Sequence, residues 1–282
     1  METFLDQMKA IKQQEIAEKK SSVSHLFSQT ALEQRPAQIS FKKSLERHTD
    51  QGLSLIAEVK AKAPGRQNVE TLDVAQVLKD YTLAGVNAIS VLTDGHYFGG
   101  SLEVMDQARS LTSLPLLHKE FIIDPCQLEE GCLRGANAAL ILVYYFNESA
   151  LKTMIKTCHD LGMDAVVECS LESELPRALS VNPDILLINN RPIASIPANP
   201  TRQYHEGSVD VSLNWWEKHQ ELREWKAQEH KVLISASCIS RQEDMRRIAQ
   251  LPFDAVLIGN SVMSAPDRVH FLKELKQAGF KA

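Results

Sequence analysis

Apolar residues follow two rhythms along this chain. Short, nearly unbroken apolar runs alternate with longer stretches whose apolar positions recur every three or four residues. The first rhythm marks strands buried on both faces, and the second marks amphipathic helices. The runs predict strands at Leu53–Val59, Ala88–Leu92, Leu114–Leu117, Ala138–Val143, Asp164–Val167, Ile185–Ile188, Val232–Ser235 and Ala255–Ile258. Between and after them the helical spacing predicts helices at Thr71–Ala84, Ser101–Leu111, Pro125–Arg134, Glu148–Leu161, Leu171–Leu179, Asn214–Gln228, Arg241–Gln250 and Asp267–Gln277. Gly85, Gly135 and Gly162 follow three of these, where a helix commonly ends.

Eight strands alternating with eight helices imply parallel pairing. The count fits a (β/α)8 TIM barrel better than an open doubly wound sheet, and no Gly-x-Gly-x-x-Gly follows the first strand. Ahead of the barrel, residues 1–20 place Phe4, Leu5, Met8, Ile11 and Ile16 among lysines and glutamates. That is an amphipathic helix in need of a surface. Ser21–Arg35 predicts a weaker helical piece, and Pro36–Glu46 a third. The expected organisation is therefore an N-terminal helical extension, residues 1–46, packed on a single catalytic barrel domain, residues 47–282.

Composition narrows the function classes. In 282 residues the net charge is −5, so no basic field invites nucleic acid. No apolar run is long enough to span a membrane, and the charged N-terminus lacks the apolar centre of a secretion signal. The five cysteines are scattered, without a C-x-x-C pair, which points to free thiols in a cytoplasmic protein and away from a zinc site. The sequence sets no oligomeric state.

A barrel of this kind carries its chemistry at the carboxyl ends of the strands. Those ends are polar here: Glu58, Lys60 and Lys62; Thr93 and Asp94; Lys119; Tyr144 and Tyr145; Glu168; Asn189, Asn190 and Arg191; Ser235 and Ser237; Gly259, Asn260 and Ser261. Glu58 and Lys60 are two apart and share one side of their strand. If that side is the interior, Glu58, Lys60, Lys119 and Glu168 converge into a cluster able to supply a general acid and a general base. The plain alternative is a ring of salt bridges closing the barrel top. The turns around Cys238 and around Gly259–Asn260 lead from the last strands into helices, the usual place for a phosphate. Ordinary helix capping by Ser240 and Ser264 is the competing reading, and the two are compatible.

These residues resemble one family, indole-3-glycerol phosphate synthase. The resemblance is carried by FLDQMKAIKQQEIAEKK, LIAEVKAKAPGR, AISVLTDGHYFGGSLE, LPLLHKEFIIDPCQL, AVVECSLESEL, LLINNR and DAVLIGNSVMSAPD, in the family's order over nearly the whole chain. It implies a barrel without metal or organic cofactor, whose partner is a small phosphorylated substrate, 1-(o-carboxyphenylamino)-1-deoxyribulose 5-phosphate. The enzyme closes the indole ring with loss of CO2 and water. By the same resemblance Lys119 matches the general acid, Glu168 the general base, Lys60 the contact to the substrate carboxylate, and Glu58 the residue that orients the lysines. Asn189, Arg191 and Ser237 match polar substrate contacts, and Phe98 and Phe121 the apolar walls.

The chain departs from the family's pattern at the rim. Ala63 and Gly65 stand where serines are usual, Ala236 where glutamate is usual, and Cys238 where glycine lets the backbone approach phosphate closely. Glu120 replaces an aspartate, and the segment 192–207 is longer than the family's. The leading expectation is an active, divergent synthase. The alternatives are a same-fold enzyme for a different phosphorylated anion, or a non-catalytic binding or scaffold subunit.

Overall fold

The structure is a computed structural model, and it describes residues 2–22, 39–47, 52–61, 72–193 and 207–280. Eight parallel strands close into a barrel in chain order: β1 (Ser54–Val59), β2 (Ala88–Leu92), β3 (Leu116–Lys119), β4 (Ala138–Leu142), β5 (Asp164–Cys169), β6 (Ile185–Asn189), β7 (Val232–Ala236) and β8 (Ala255–Ile258). A helix or helix pair follows each strand, so the fold is a (β/α)8 TIM barrel, with the helix Phe4–Ser22 ahead of it. The expected helical piece over Ser21–Arg35 falls mostly outside the described residues, as do Lys62, Ala63, Gly65 and most of the 192–207 segment. No helix among the described residues is long and apolar enough to cross a membrane.

Register decides which side chains face inward, because partners in a parallel ladder lie on the same face. Glu58 pairs with Ser90, Leu92 with Lys119, Leu142 with Glu168, Glu168 with Leu187, Asn189 with Ala236, and Ala236 with Leu257. The charged and apolar residues of this set therefore share the interior. With Leu187 and Leu257 of this set, Ile56, Leu140 and Ile234 fill the barrel below the charged residues.

Several boundaries differ from the sequence expectation. β3 runs Leu116–Lys119, two residues beyond the expected Leu114–Leu117, because the ladder continues through His118 and Lys119. β5, β6 and β7 likewise extend into Cys169, Asn189 and Ala236. The single helix expected at Asn214–Gln228 is two, Asp210–Lys218 and Gln220–Lys226, broken where His219 takes an extended ψ of 104°. Trp215 and Trp225 of this pair are buried, and the Trp225 indole donates to the Pro183 carbonyl at 2.9 Å, so they serve the core. The expected caps Ser240 and Ser264 are not the ones used. Asp244 accepts from the backbone of Ser240 and Arg241, and Asp267 from that of His270.

The N-terminal helix lies across the ends of β2, β3 and β4. Phe4, Leu5 and Met8 are buried against the barrel, and Phe41 and Leu45 of the short helix Phe41–Leu45 are fully buried. Tyr144 donates its hydroxyl to Asp6 at 2.9 Å, and the Tyr145 hydroxyl reaches the Leu5 carbonyl at 3.2 Å.

Candidate active site

The carboxyl ends of the strands surround a cavity of about 650 Å³. Its floor is the cluster expected from the strand ends. Glu58 and Lys60, carried together by β1, form an ion pair of 2.8 Å. Lys119 at the end of β3 stands between two carboxylates, 3.8 Å from Glu58 and 3.9 Å from Glu168. Asn189 on β6 donates to the other oxygen of Glu168 at 3.0 Å, and its own side-chain oxygen accepts from the Arg191 backbone at 3.0 Å. Glu168 is only 2% exposed, so its orientation is fixed by these contacts rather than by water.

Burial pushes the Glu58 carboxyl up, but Lys60 and Lys119 beside it outweigh that and hold it below its ordinary value. Glu58 is therefore a fixed anion. The buried Tyr81 hydroxyl donates to the Glu58 backbone carbonyl at 2.7 Å, anchoring the strand end from outside the barrel.

One wall is aromatic. Phe98, after β2, and Phe121, after β3, stack with centroids 6.1 Å apart and planes 25° from parallel. The opposite wall is made of Ser237, Cys238, Gly259 and Asn260. Ser237 and Cys238 have φ of 70° and 61°, the left-handed region that non-glycine residues rarely enter. Such strain persists only where the surroundings over-determine it. Here the fully buried Asn190 does so. It donates to the Ser235 hydroxyl at 2.9 Å and the Ser237 carbonyl at 3.0 Å, and it accepts from the backbone and hydroxyl of Ser212. Ser261 ties the two turns together by donating to the Ile239 carbonyl at 2.7 Å. Burial pushes the Cys238 thiol up, against the pull of Arg191, so the side chain stays neutral.

Of the strand-end candidates, Glu58, Lys60, Lys119, Glu168, Asn189 and Arg191 meet at one cavity with the phenylalanines and the two turns, whereas Thr93, Asp94, Tyr144, Tyr145, Asn190 and Ser235 do not line it. Ala236 shares the inner face beside Asn189, but the wall at this strand is formed by Ser237 and Cys238. Sequence reasoning missed Asp210, Arg241 and Arg247, which line the mouth, with Arg247 paired to Asp210. Their helix positions carry no periodic or spacing signal toward the cavity. Three buried atoms on the wall, Glu168 Oε2, Arg191 Nε and Asn260 Oδ1, have no hydrogen-bond partner. Buried polar atoms are seldom left so, and a polar ligand in the cavity can supply partners. Among the described residues, no group of His, Cys, Asp and Glu is arranged to hold a metal ion.

Known proteins match this chain closely. A family model described as indole-3-glycerol phosphate synthase matches residues 5–275. An indole-3-glycerol phosphate synthase of Desulfotalea psychrophila is 35% identical over 277 residues, covering 98% of this chain and 99% of that protein. One from Staphylococcus haemolyticus is 34% identical over 224 residues, covering 79% and 80%. Among solved structures, 3-hexulose-6-phosphate synthase from Salmonella typhimurium superposes with a TM-score of 0.58 at 12% identity, covering 80% of this chain and 98% of that one. At that identity the likeness shows the fold alone.

Proposed function

The chain belongs to the indole-3-glycerol phosphate synthase family, the carboxy-lyases of tryptophan biosynthesis, and we propose that Lys119, Glu168 and Lys60 carry its reaction. The observation that carries this reading is the position of Lys119 Nζ, between Glu58 at 3.8 Å and Glu168 at 3.9 Å. A cation between two buried carboxylates, open on its remaining side to the cavity, is placed to give a proton to a bound substrate and to have its charge balanced throughout.

In this reading the substrate's aromatic ring lies against Phe98 and Phe121, and its phosphate lies at the turns of Cys238 and Gly259–Asn260. Lys60 faces the substrate carboxylate while Glu58 holds the lysine in place. Lys119 donates a proton to the ribulose carbonyl oxygen as the ring carbon bearing the carboxylate attacks the carbonyl carbon. The new carbon–carbon bond closes the five-membered ring. The carboxylate then leaves as CO2, and its bonding electrons restore the aromatic ring. Glu168 then removes a proton from the neighbouring ring CH2 as the hydroxyl, protonated by Lys60, departs as water, forming the carbon–carbon double bond of the five-membered ring. Asn189 keeps Glu168 aimed, and Arg191 and Ser237 are polar contacts to the ribulose chain. Dry walls strengthen each of these electrostatic contacts.

We read residues 1–46 as an extension and residues 47–282 as the catalytic domain, acting in the cytoplasm on a small molecule and not on nucleic acid. The five free cysteines and the net charge of −5 support that setting. The test is formation of indole fluorescence from 1-(o-carboxyphenylamino)-1-deoxyribulose 5-phosphate by the purified protein. Steady turnover is the expected result. A folded protein without turnover, but with calorimetrically measured binding of that compound, would move the reading to a binding role.

A further inference from the structure

The N-terminal helix carries one residue that its packing does not require. Phe4, Met8, Lys12 and Ile16 fall at i+4 spacing, so they form a single stripe down the face turned to the barrel. Three of the four are apolar. Lys12 is not, yet it is only 2% exposed. A buried ammonium group costs more than an apolar side chain of similar size would, unless its partners are in place.

Besides Glu15 one turn along the same helix, at 2.9 Å, its partners come from two different strand ends. Lys12 Nζ lies 2.9 Å from Asp94 Oδ1, after β2, and 3.2 Å from Glu120 Oε1, after β3. Each carboxylate also grips the aromatic wall. Asp94 Oδ2 accepts from the backbone of Tyr97 at 2.8 Å and of Phe98 at 3.0 Å. Glu120 Oε1 accepts from the backbone of Phe121 at 2.7 Å, and its other oxygen accepts from the Thr93 hydroxyl at 3.2 Å. Phe4, one end of the same stripe, packs its ring 4.5 Å from Tyr97 and 5.8 Å from Phe121. One cation thus joins the two loops whose phenylalanines stack to form one wall of the cavity.

We propose that Lys12 is a positioning residue, which through Asp94 and Glu120 sets the spacing of the Phe98–Phe121 wall and so the recognition of the substrate's aromatic half. Lys12 touches no reacting atom. It acts at a distance from the turns of Cys238 and Gly259, so its influence is confined to the aromatic side of the cavity. This rests on the reading of the cavity as the synthase site. Turnover by the unaltered protein checks that reading separately: its absence would overturn both, whereas the variants below can overturn this proposal alone.

The experiment compares two ligands that occupy different ends of the cavity. Indole-3-glycerol phosphate engages both ends, and inorganic phosphate only the turns. Lys12→Met is expected to weaken indole-3-glycerol phosphate binding and raise KM by about tenfold, with kcat within about threefold, the pattern of lost uniform binding. Inhibition by inorganic phosphate stays as in the unaltered protein. Lys12→Arg, which keeps the cation, restores most of the affinity. Lys12→Met with Glu120→Gln removes one charge of each sign, so the net charge buried around Asp94 is kept. It is the variant to use if the single substitution does not fold, and the same split between the two ligands is expected of it. A folded variant whose two affinities are both unchanged, or which loses both in equal measure, would overturn the proposal and leave Lys12 a structural anchor.

Discussion

Gly259 stands so close to Glu58 that a β-carbon at position 259 would collide with the Glu58 carboxylate oxygen that binds Lys60, and would lie 3.1 Å from the Lys60 ammonium. The end of β8 therefore sets the position of the ion pair on β1, its neighbour in the closed barrel. Gly259→Ala is expected to push Glu58 and Lys60 aside and lower kcat on the order of a hundredfold, the scale of an ångström-sized misplacement. Steady-state kinetics beside a thermal melt checks it. Unchanged kinetics would mean that the pair is not needed in this arrangement.

Lys119→Met removes the proton donor while keeping the stem of the side chain. Turnover should fall by about two to four powers of ten, the usual contribution of a general acid. Glu58 keeps Lys60 as its close partner at 2.8 Å, but the buried Glu168 loses the cation beside it, so a thermal melt accompanies the kinetics. A loss of less than tenfold in indole formation would remove Lys119 from the acid role.

The barrel and its cluster were legible in the sequence because strands buried on both faces leave apolar runs, and because the first polar residue after each run marks the catalytic face. That same rule misjudged where strands end. Reading each run to its last apolar residue stops β5 at Val167 and β6 at Ile188, whereas Glu168 and Asn189 still belong to the ladder. In a barrel the top layer is polar and paired at once. The network of Lys12 was not legible for a different reason. On a helix a lysine among apolar residues looks like part of the solvated face, and only the tertiary placement of Asp94 and Glu120 makes it buried. The break at His219 has no glycine or proline to announce it.

His118 gives a pH-dependent prediction. It points away from the interior, is buried, and its Nε2 lies 3.0 Å from the Thr93 hydroxyl. Burial, with smaller contributions from Lys19 and Lys12, pushes it down to about 4 from 6.5. Between those values the unfolded chain binds a proton that the folded protein excludes, so stability rises with pH across the window and falls on acidification through it. The full loss is on the order of 3 kcal/mol, from about 2.5 pKa units at 1.36 kcal/mol each. His118→Asn should flatten that part of the curve. Urea unfolding of both proteins at a series of pH values between 4 and 7 checks it, and parallel curves would show that His118 is not the group responsible.

Cys238 tests whether this rim departure tunes phosphate binding. The backbone at position 238 has kept a left-handed φ of 61°, a conformation that glycine adopts freely and that costs another residue about 1–2 kcal/mol. Its side chain also occupies the wall between the Asn190 carbonyl, 4.0 Å from the sulfur, and the turn of Gly207, where a β-carbon would meet that sulfur at 2.6 Å. Cys238→Gly relieves the strain but adds chain entropy to the unfolded state, about 0.4–1 kcal/mol in the other direction. The two nearly offset, so the melting temperature should move little. Binding is expected to change more. With the β-carbon gone the phosphate can approach the backbone, and inhibition by inorganic phosphate should tighten about fivefold, worth roughly 1 kcal/mol. Cys238→Ala is the control, since it removes the sulfur and keeps both the β-carbon and the strain. Tightening in the glycine variant but not in the alanine variant would assign the effect to backbone approach. Tightening in both would assign it to the thiol, and tightening in neither would move the phosphate away from this turn.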